Sequence, residues 1–565
     1  MTALLDPFIN EPRIAYFSME IALANEIPTY SGGLGVLAGD TMRSAADLDL
    51  PMVGVTLASR AGYFRQEIVE GRQVERPAFW QPQQWAQRLR AKVALQIDAR
   101  EVWVGAWLYT VKGHRGGAVP VILLDTDLPE NEAEDREITH YLYGGDETYR
   151  LKQEMVLGIG GVQMLGALGL AIRKYHLNEG HAALLTLELL RRLAYVPQEA
   201  GTAGLRYNVP AVRQRCVFTT HTPVEAGHDQ FAYELADRLL GSIVDGATLR
   251  KLAGEERLNM TRLALNLSEH VNGVARRHAE VSRRMYPGYE VHAVTNGVHP
   301  WSWACDSFRR LYNAHLPRWC HEPELLVRAD RIPDEAVRQA HAEAKGALLE
   351  RIGRRGGPAL DATLPLLGFA RRMTEYKRAD LLFSDLDRLR AIAQRQPFQI
   401  VLAGKAHPHD AGGKELIERL HGWARELAGA VPVAFLADYD MELARLLVSG
   451  VDVWLNLPLR PLEASGTSGM KAALNGVPSL SVPDGWWLEG WIEGVTGWAV
   501  GGGVDADNAR DAASLYDKLE QQVLPLYYGD RAGWTAVMKG AITHNASFFN
   551  SHRMMRRYVV EAYLR

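Results

Sequence analysis

Short apolar segments, separated by glycine turns and amphipathic stretches, recur in two long runs, and this alternation limits the fold more than any other feature. In the first run the pattern predicts strands over 14–18, 52–57, 103–111, 119–124 and 216–220, with a helix over 36–48. In the second it predicts strands over 364–369, 399–402, 431–435, 451–455 and 478–482, with an amphipathic helix over 379–393. A polar helical connector over 333–355, closed by Gly356, Gly357 and Pro358, separates the runs. Alternating β and α elements in both halves imply an α/β fold of two doubly wound, Rossmann-like domains facing a cleft. The expected divisions are 1–330, 331–540 and a closing segment 541–565 with a helical run over 553–564.

At 565 residues the chain exceeds one ordinary core, consistent with that division. Apolar content of 47% and charged content of 23% are those of a globular protein, and a net charge of −4 gives no general attraction to nucleic acid. Cys216, Cys305 and Cys320 cannot build a disulfide framework and suit a reducing compartment. Cys305, Cys320 and His321 match no zinc spacing, so no metal is expected. The first residues lack a signal-peptide pattern, and the expected location is cytoplasmic. Residues 155–172 carry no charge, but five glycines and Gln163 favour a buried helix with close backbone contacts over a membrane span. An acidic loop is expected over 129–136.

Chemistry-bearing residues gather at the predicted strand ends. After the fourth strand of the second run stand Glu463 and Ser465, then the small-residue turn Gly466-Thr467-Ser468-Gly469 and Lys471, followed by a helix that Gly476 stops. Such a turn at a helix start presents free N–H groups to a phosphate, although most glycine turns are only turns. Because Ala472 follows the lysine, this is not a nucleotide P-loop. Ser31-Gly32-Gly33-Leu34-Gly35 forms a similar turn after the first strand. Phe369 to Arg378 places Arg371, Arg372, Lys377 and Arg378 at a strand end, where open sheets bind ligands. His221 closes the 216–220 strand, Asn178 is read as capping a helix, and Trp486 and Trp487 suit either sugar stacking or core packing.

These segments resemble those of the α-glucan phosphorylases. Glu463 to Thr467, Met470-Lys471 and Leu474 to Gly476 reproduce in order the family's EASGT, MK and LNG. Phe369 to Arg378 is similar to the KRxxEYKR segment, Arg150 to Glu154 to RLKQE, Gly404 to Pro408 to GKAxP, and Val294 to Val298 to the TNG segment. The resemblance implies that Lys471 holds pyridoxal phosphate as a Schiff base, with Arg371, Tyr439, Thr467, Ser468 and Gly33 around the coenzyme. Arg372 and Lys377 take the positions that hold the phosphates. Glu463, Ser465, Gly466, Asn296, Gly32, Leu34, His221 and His270 are the implied sugar- and substrate-side residues. Four departures stand out: Ser31 replaces an asparagine, Arg371 a lysine, Ser468-Gly469 a Gly-Asn pair, and Glu269 rather than His270 aligns with the histidine before VNG.

The implied reaction is reversible phosphorolysis of α-1,4-glucans or maltodextrins, with inorganic phosphate as co-substrate and glucose 1-phosphate as product. The coenzyme 5′-phosphate would be the acid and base, and mutual repulsion of two phosphates must be offset in a cleft with little water. The resemblance also implies that 541–565 crosses back to the first domain, and it allows a homo-oligomer. The chain is short for the family, and AMP control through an N-terminal segment is not expected. Two other readings stay open on sequence: a sugar-nucleotide-dependent glucan synthase, which needs no Lys471 coenzyme, and a non-catalytic glucan-binding protein.

Overall fold

The computed structural model describes residues 4–195, 206–241, 243–502 and 507–565. Its first sheet has seven parallel strands: Arg13–Phe17, Met52–Leu57, Ala118–Asp125, Ile172–Asn178, Cys216–Thr219, His270–Gly273 and His292–Ala293. Across the sheet they stand third, second, first, fourth, fifth, sixth, seventh in chain order. Antiparallel Arg100–Lys112 adds to the third, and Gln87–Arg88 and Val93–Ile97 pair with it. The two central strands, Arg13–Phe17 and Met52–Leu57, are buried at every residue, as unbroken apolar runs in a parallel sheet should be.

The second sheet has six parallel strands: Leu366–Ala370, Gln399–Ala403, Val433–Leu436, Val453–Asn456, Ser479–Ser481 and Gly497–Ala499. Their order again runs third, second, first, fourth, fifth, sixth. In each sheet, placement reverses between the first and fourth strands, and the crevice beyond their C-terminal ends is where such sheets take ligands. The crevices therefore open after Phe17 and Asn178 in one sheet and after Ala370 and Asn456 in the other.

Several local expectations are corrected. The predicted helix over 379–393 is two pieces, a 3-10 helix Ala379–Phe383 and an α-helix Leu386–Arg395. Asp385 separates them, because its carboxylate accepts the Arg388 N–H at 2.8 Å and starts a new helix. The uncharged run 155–172 lies within Glu147–Met155, a wider turn Val156–Gly160 and Gly161–Ala167, ending where the Ile172–Asn178 strand begins. A Cβ on Gly161 would stand 2.5 Å from the Phe17 ring, which is why this helix needs glycine to cross the sheet. No helix among the described residues is long and apolar enough to cross a membrane. Part of the acidic loop is helical, Ala133–Arg136. Asn178 does not cap a helix; Glu179 accepts the Gly180 N–H instead, while Asn178 Nδ2 donates to Ser18 Oγ at 3.1 Å.

Periodicity did not reveal the hairpin Arg65–Val69 and Arg72–Arg76, which joins the two halves. Its buried glutamines reach second-half backbone: Gln66 Nε2 donates to Gly404 O at 2.9 Å, and Gln73 exchanges hydrogen bonds with Ala406 N and O, both 2.9 Å. Gln66 and Asp438 likewise exchange two bonds, 3.0 and 2.9 Å. The closing segment, Ser551–Tyr558 continued by Val559–Tyr563, packs on the first half. Met554, Met555, Tyr558 and Tyr563 are buried with Ile14, Tyr16, Leu37 and Met42. His552 and His299 both meet buried Asp47, with Nε2–Oδ2 distances of 3.2 and 2.8 Å. Because His299 Nδ1 accepts the Ser302 N–H at 3.2 Å, its proton sits on Nε2 and points at Asp47. The trio is a hydrogen-bonded staple across three segments.

Candidate active site

Both crevices open into one cleft of about 1200 Å³, lined from the first half by residues such as Glu20, Gly32, Gly33, Leu34, His221 and Asn296, and from the second by Arg371, Arg372, Lys377, Tyr439, Glu463 and Lys471. The two runs of sequence thus deliver their strand-end residues to a shared space. Ser465, Gly466, Thr467 and Ser468 line it as well.

At the second switch point, Glu463 Oε2 accepts from Arg371 Nη2 at 2.7 Å and Lys377 Nζ at 2.6 Å. Burial pushes this carboxyl up, but Arg371 and Lys377 together more than offset it and hold it at about 2. Arg371 is left with a buried Nη1 that has no acceptor. Arg372 makes no hydrogen bond or ion pair among the described residues, and its stem passes Gly32, whose Cβ would lie 3.6 Å from Arg372 Cδ. A buried guanidinium with an unused donor and an uncommitted guanidinium beside it have the donor chemistry to take an anion.

Lys471 lies on the short helix Ser468–Ala473 and is buried. Desolvation lowers its amine to about 8; Asp40 acts to raise it and Arg43 to lower it. Near neutral pH an appreciable fraction is therefore the nucleophilic free amine. The Gly469 position is closed to larger side chains: a Cβ there would stand 2.7 Å from Trp486 and 3.2 Å from Asn456 Nδ2. Ser468 Oγ accepts from Trp454 Nε1 at 3.0 Å and donates to Asn456 Oδ1 at 3.3 Å. Ser468 and Gly469 are thus packed closely against Trp454, Asn456 and Trp486. Trp486 and Trp487 are almost wholly buried, with ring centroids 5.2 Å apart, so of the two readings they fill core.

At the first switch point, the glycine turn opens the helix Gly33–Asp47. Glu20 already takes the Gly32 N–H at 3.2 Å and the Ser31 N–H at 2.5 Å, and accepts from Tyr143 OH at 3.0 Å. Gly32 therefore does not offer its N–H as expected, and the first-turn N–H groups of Gly33 and Leu34 remain. Glu179 holds the opposite wall with φ of 74°, a strained conformation for a side chain of this size. Its carboxylate accepts from the backbone N–H of His221 at 2.8 Å and from Thr222 Oγ1 at 2.9 Å.

His221 Nε2 is 2.6 Å from Asn178 Oδ1, and burial lowers the imidazole to about 4, so it is neutral across the physiological range. Asn296 presents a buried Oδ1 without a donor, while Arg553 fixes its backbone oxygen at 2.9 Å. An unused acceptor in a polar cleft fits a hydroxyl donor. His270 is placed elsewhere: it sits within the first sheet, stacked on His292 at 4.9 Å and away from the cleft lining. It is the first residue of the strand His270–Gly273, at the end opposite the crevice, and Glu269 pairs with Lys174 at 3.5 Å. Among histidines proposed for the sugar, the cleft contains His221 alone.

Sequence reasoning passed over Glu20, Tyr143, Glu179, His181, Asp229 and Trp303, all of which line the cleft. Glu20 and Glu179 follow the first and fourth strands of the first sheet directly, so strand order was the signal that would have singled them out.

The sequence profile of the carbohydrate phosphorylases matches residues 20–105 and 243–493. The chain is 38% identical to a maltodextrin phosphorylase of Thermococcus litoralis over 98% of its own length and 70% of the relative's. It is 37% identical to a glycogen phosphorylase of Mycobacterium tuberculosis, over 97% and 70%. An uncharacterised protein of Methanocaldococcus jannaschii is 31% identical over 97% of this chain and 99% of its own length. With profile and relatives spanning both halves of the cleft, the chain belongs to the carbohydrate phosphorylase family.

Proposed function

We infer that this protein catalyses phosphorolysis of α-1,4-glucans from the non-reducing end, releasing α-glucose 1-phosphate, with pyridoxal phosphate on Lys471. The observation that carries the reading is the unused buried Nη1 of Arg371, in one cleft with the uncommitted Arg372 and the low-pKa Lys471. Cleft size and donor chemistry fit the coenzyme: a buried amine for its aldehyde, and N–H groups of Thr467 and Ser468 for its phosphate. When bound, pyridoxal phosphate supplies through its 5′-phosphate a proton donor and acceptor beside the substrate phosphate. Arg372 and the Leu34 N–H bind the substrate phosphate, the Gly33 N–H serves the coenzyme side, and Arg371 and Lys377 balance the remaining charge. Glu463 keeps those two cations fixed and, with Ser465 and Gly466, bounds the sugar. Asn296 and His221 orient it through hydroxyl contacts, and Tyr439 walls the coenzyme side. Enclosure strengthens each of these interactions over its value in water.

The same reading assigns the sheets to Rossmann-like domains of 1–330 and 331–540, with 541–565 returning to the first. The repeated strand order and the burial of Tyr558 and Tyr563 against the first half support it. A cytoplasmic enzyme acting on glucan or maltodextrin is proposed accordingly. Borohydride reduction of the purified protein, followed by peptide mapping, tests the coenzyme, alongside a glucose 1-phosphate assay. Pyridoxyl modification at Lys471, and loss of both coenzyme and phosphorolysis in Lys471→Ala, are expected. Glucan extension from a sugar nucleotide that survives Lys471→Ala would replace this reading with the synthase.

A further inference from the structure

Trp303 lies on the short helix Pro300–Trp303, and its indole is almost wholly buried. The Lys471 Nζ sits 3.7 Å from the Trp303 ring centroid, close enough for a direct cation–π contact. The indole is fixed from behind: Trp303 Nε1 donates to both oxygens of Asp40, at 2.8 and 3.0 Å. Asp40 is 1% exposed and also accepts the His299 backbone N–H at 3.1 Å. It stands on the helix Gly33–Asp47, whose first turn enters the opposite wall of the cleft. The lysine of one half thus meets an aromatic face whose orientation is set by a carboxylate of the other.

We propose that Asp40 is a positioning residue for Lys471, holding the Trp303 ring against the amine and supplying the negative charge that keeps part of the lysine protonated. The proposal rests on the coenzyme role assigned to Lys471. Charged groups around the amine act in both directions. Asp40 favours the ammonium form, while Arg43, one turn further along the same helix and 3.7 Å from Asp40, opposes it. On the same side of the cleft as Lys471, Glu463 pairs with both Arg371 and Lys377, leaving one net positive charge there. A lysine that must react as a free amine, and later carry charge, benefits from having its balance set by a rigid group outside the reacting space. One buried carboxylate addresses the indole, a backbone N–H and a flanking arginine.

The test measures Lys471 directly. The full chain, freed of coenzyme, is labelled with acetic anhydride across pH 6–10, and acetylation of the Lys471 peptide is quantified by mass spectrometry. Asp40→Asn keeps an acceptor for the indole but removes the charge. It is expected to lower the labelling midpoint by about one pH unit, giving roughly tenfold faster acetylation near pH 6.5 and no change at pH 10. Trp303→Leu keeps the charge and removes the aromatic face, so the midpoint should fall by less. Asp40→Glu should return it towards the starting value. A midpoint in Asp40→Asn equal to that of the unmodified chain, or to that of the surface variant Asp387→Asn, would overturn the proposal. Acetylation needs no coenzyme, so failure of pyridoxal phosphate to trap on Lys471 in the unmodified chain would count against the coenzyme reading and leave this measurement intact.

Discussion

Single side chains in the cleft are distinguished by hydrogen-bonding capacity left over. Asn296 is the clearest case, since its Oδ1 is buried and unused. Asn296→Ala should lower kcat/KM by about ten- to a hundredfold, the worth of one hydroxyl contact, with little change in melting temperature. A substrate lacking the sugar hydroxyl that Asn296 contacts should no longer distinguish the two proteins. Behind Glu463, Asp484 accepts its N–H at 2.9 Å, and burial raises the Asp484 carboxyl to about 6. A raised carboxyl value means the folded state holds its proton more tightly than the unfolded state. Its contribution to stability therefore falls as pH rises from about 4 to 6 and stays low above that. Asp484→Asn should accordingly gain about 1–3 kcal/mol over the unmodified chain at pH 8 and little at pH 4, read by urea unfolding at both. The Glu463-to-Lys471 order was legible because motif and loop coincide there. His270 was misplaced because the motif does not reveal that this residue opens its strand, at the end away from the crevice.

At the level of elements, both sheets place glycine-rich and charged loops at their reversal points, the loops to which an α/β reading from periodicity points. What periodicity could not register was the hairpin Arg65–Val69 and Arg72–Arg76: its strands alternate weakly, and its two buried residues, Gln66 and Gln73, look like surface residues. Their burial makes sense only against backbone from the other half. Gln73→Leu would leave the Ala406 N–H and C=O without partners, at a cost of about 1–3 kcal/mol each. Faster amide exchange should appear in 404–406, where Lys405 also donates to Phe64 O at 3.0 Å beside the same hairpin. Unchanged exchange there would show that the hairpin merely rests on the second half. The break at Asp385 was similarly hidden: the apolar spacing runs through it, and only the aspartate's capping bond cuts the helix.

Over the whole molecule, the staple of Asp47, His299 and His552 connects the first helix, the segment after Asn296 and the closing helix. The histidines hold the Asp47 carboxyl well below the usual carboxylate range, burial notwithstanding. A lowered value gives stability that is complete above the ordinary aspartate range and is lost progressively as pH falls through that range and below it. Asp47→Asn should remove about 2–4 kcal/mol and speed amide exchange in 551–563 before the rest unfolds. Coincident exchange throughout would show that the closing helix is no separate unit. The packing of this segment has a temporal consequence. Residues 551–563 leave the ribosome after everything they cover, so Tyr16, Leu37 and Met42 must wait through synthesis of the entire second half for their last neighbours. A nascent chain halted before residue 551 would show water-accessible apolar surface on the sheet that was made first.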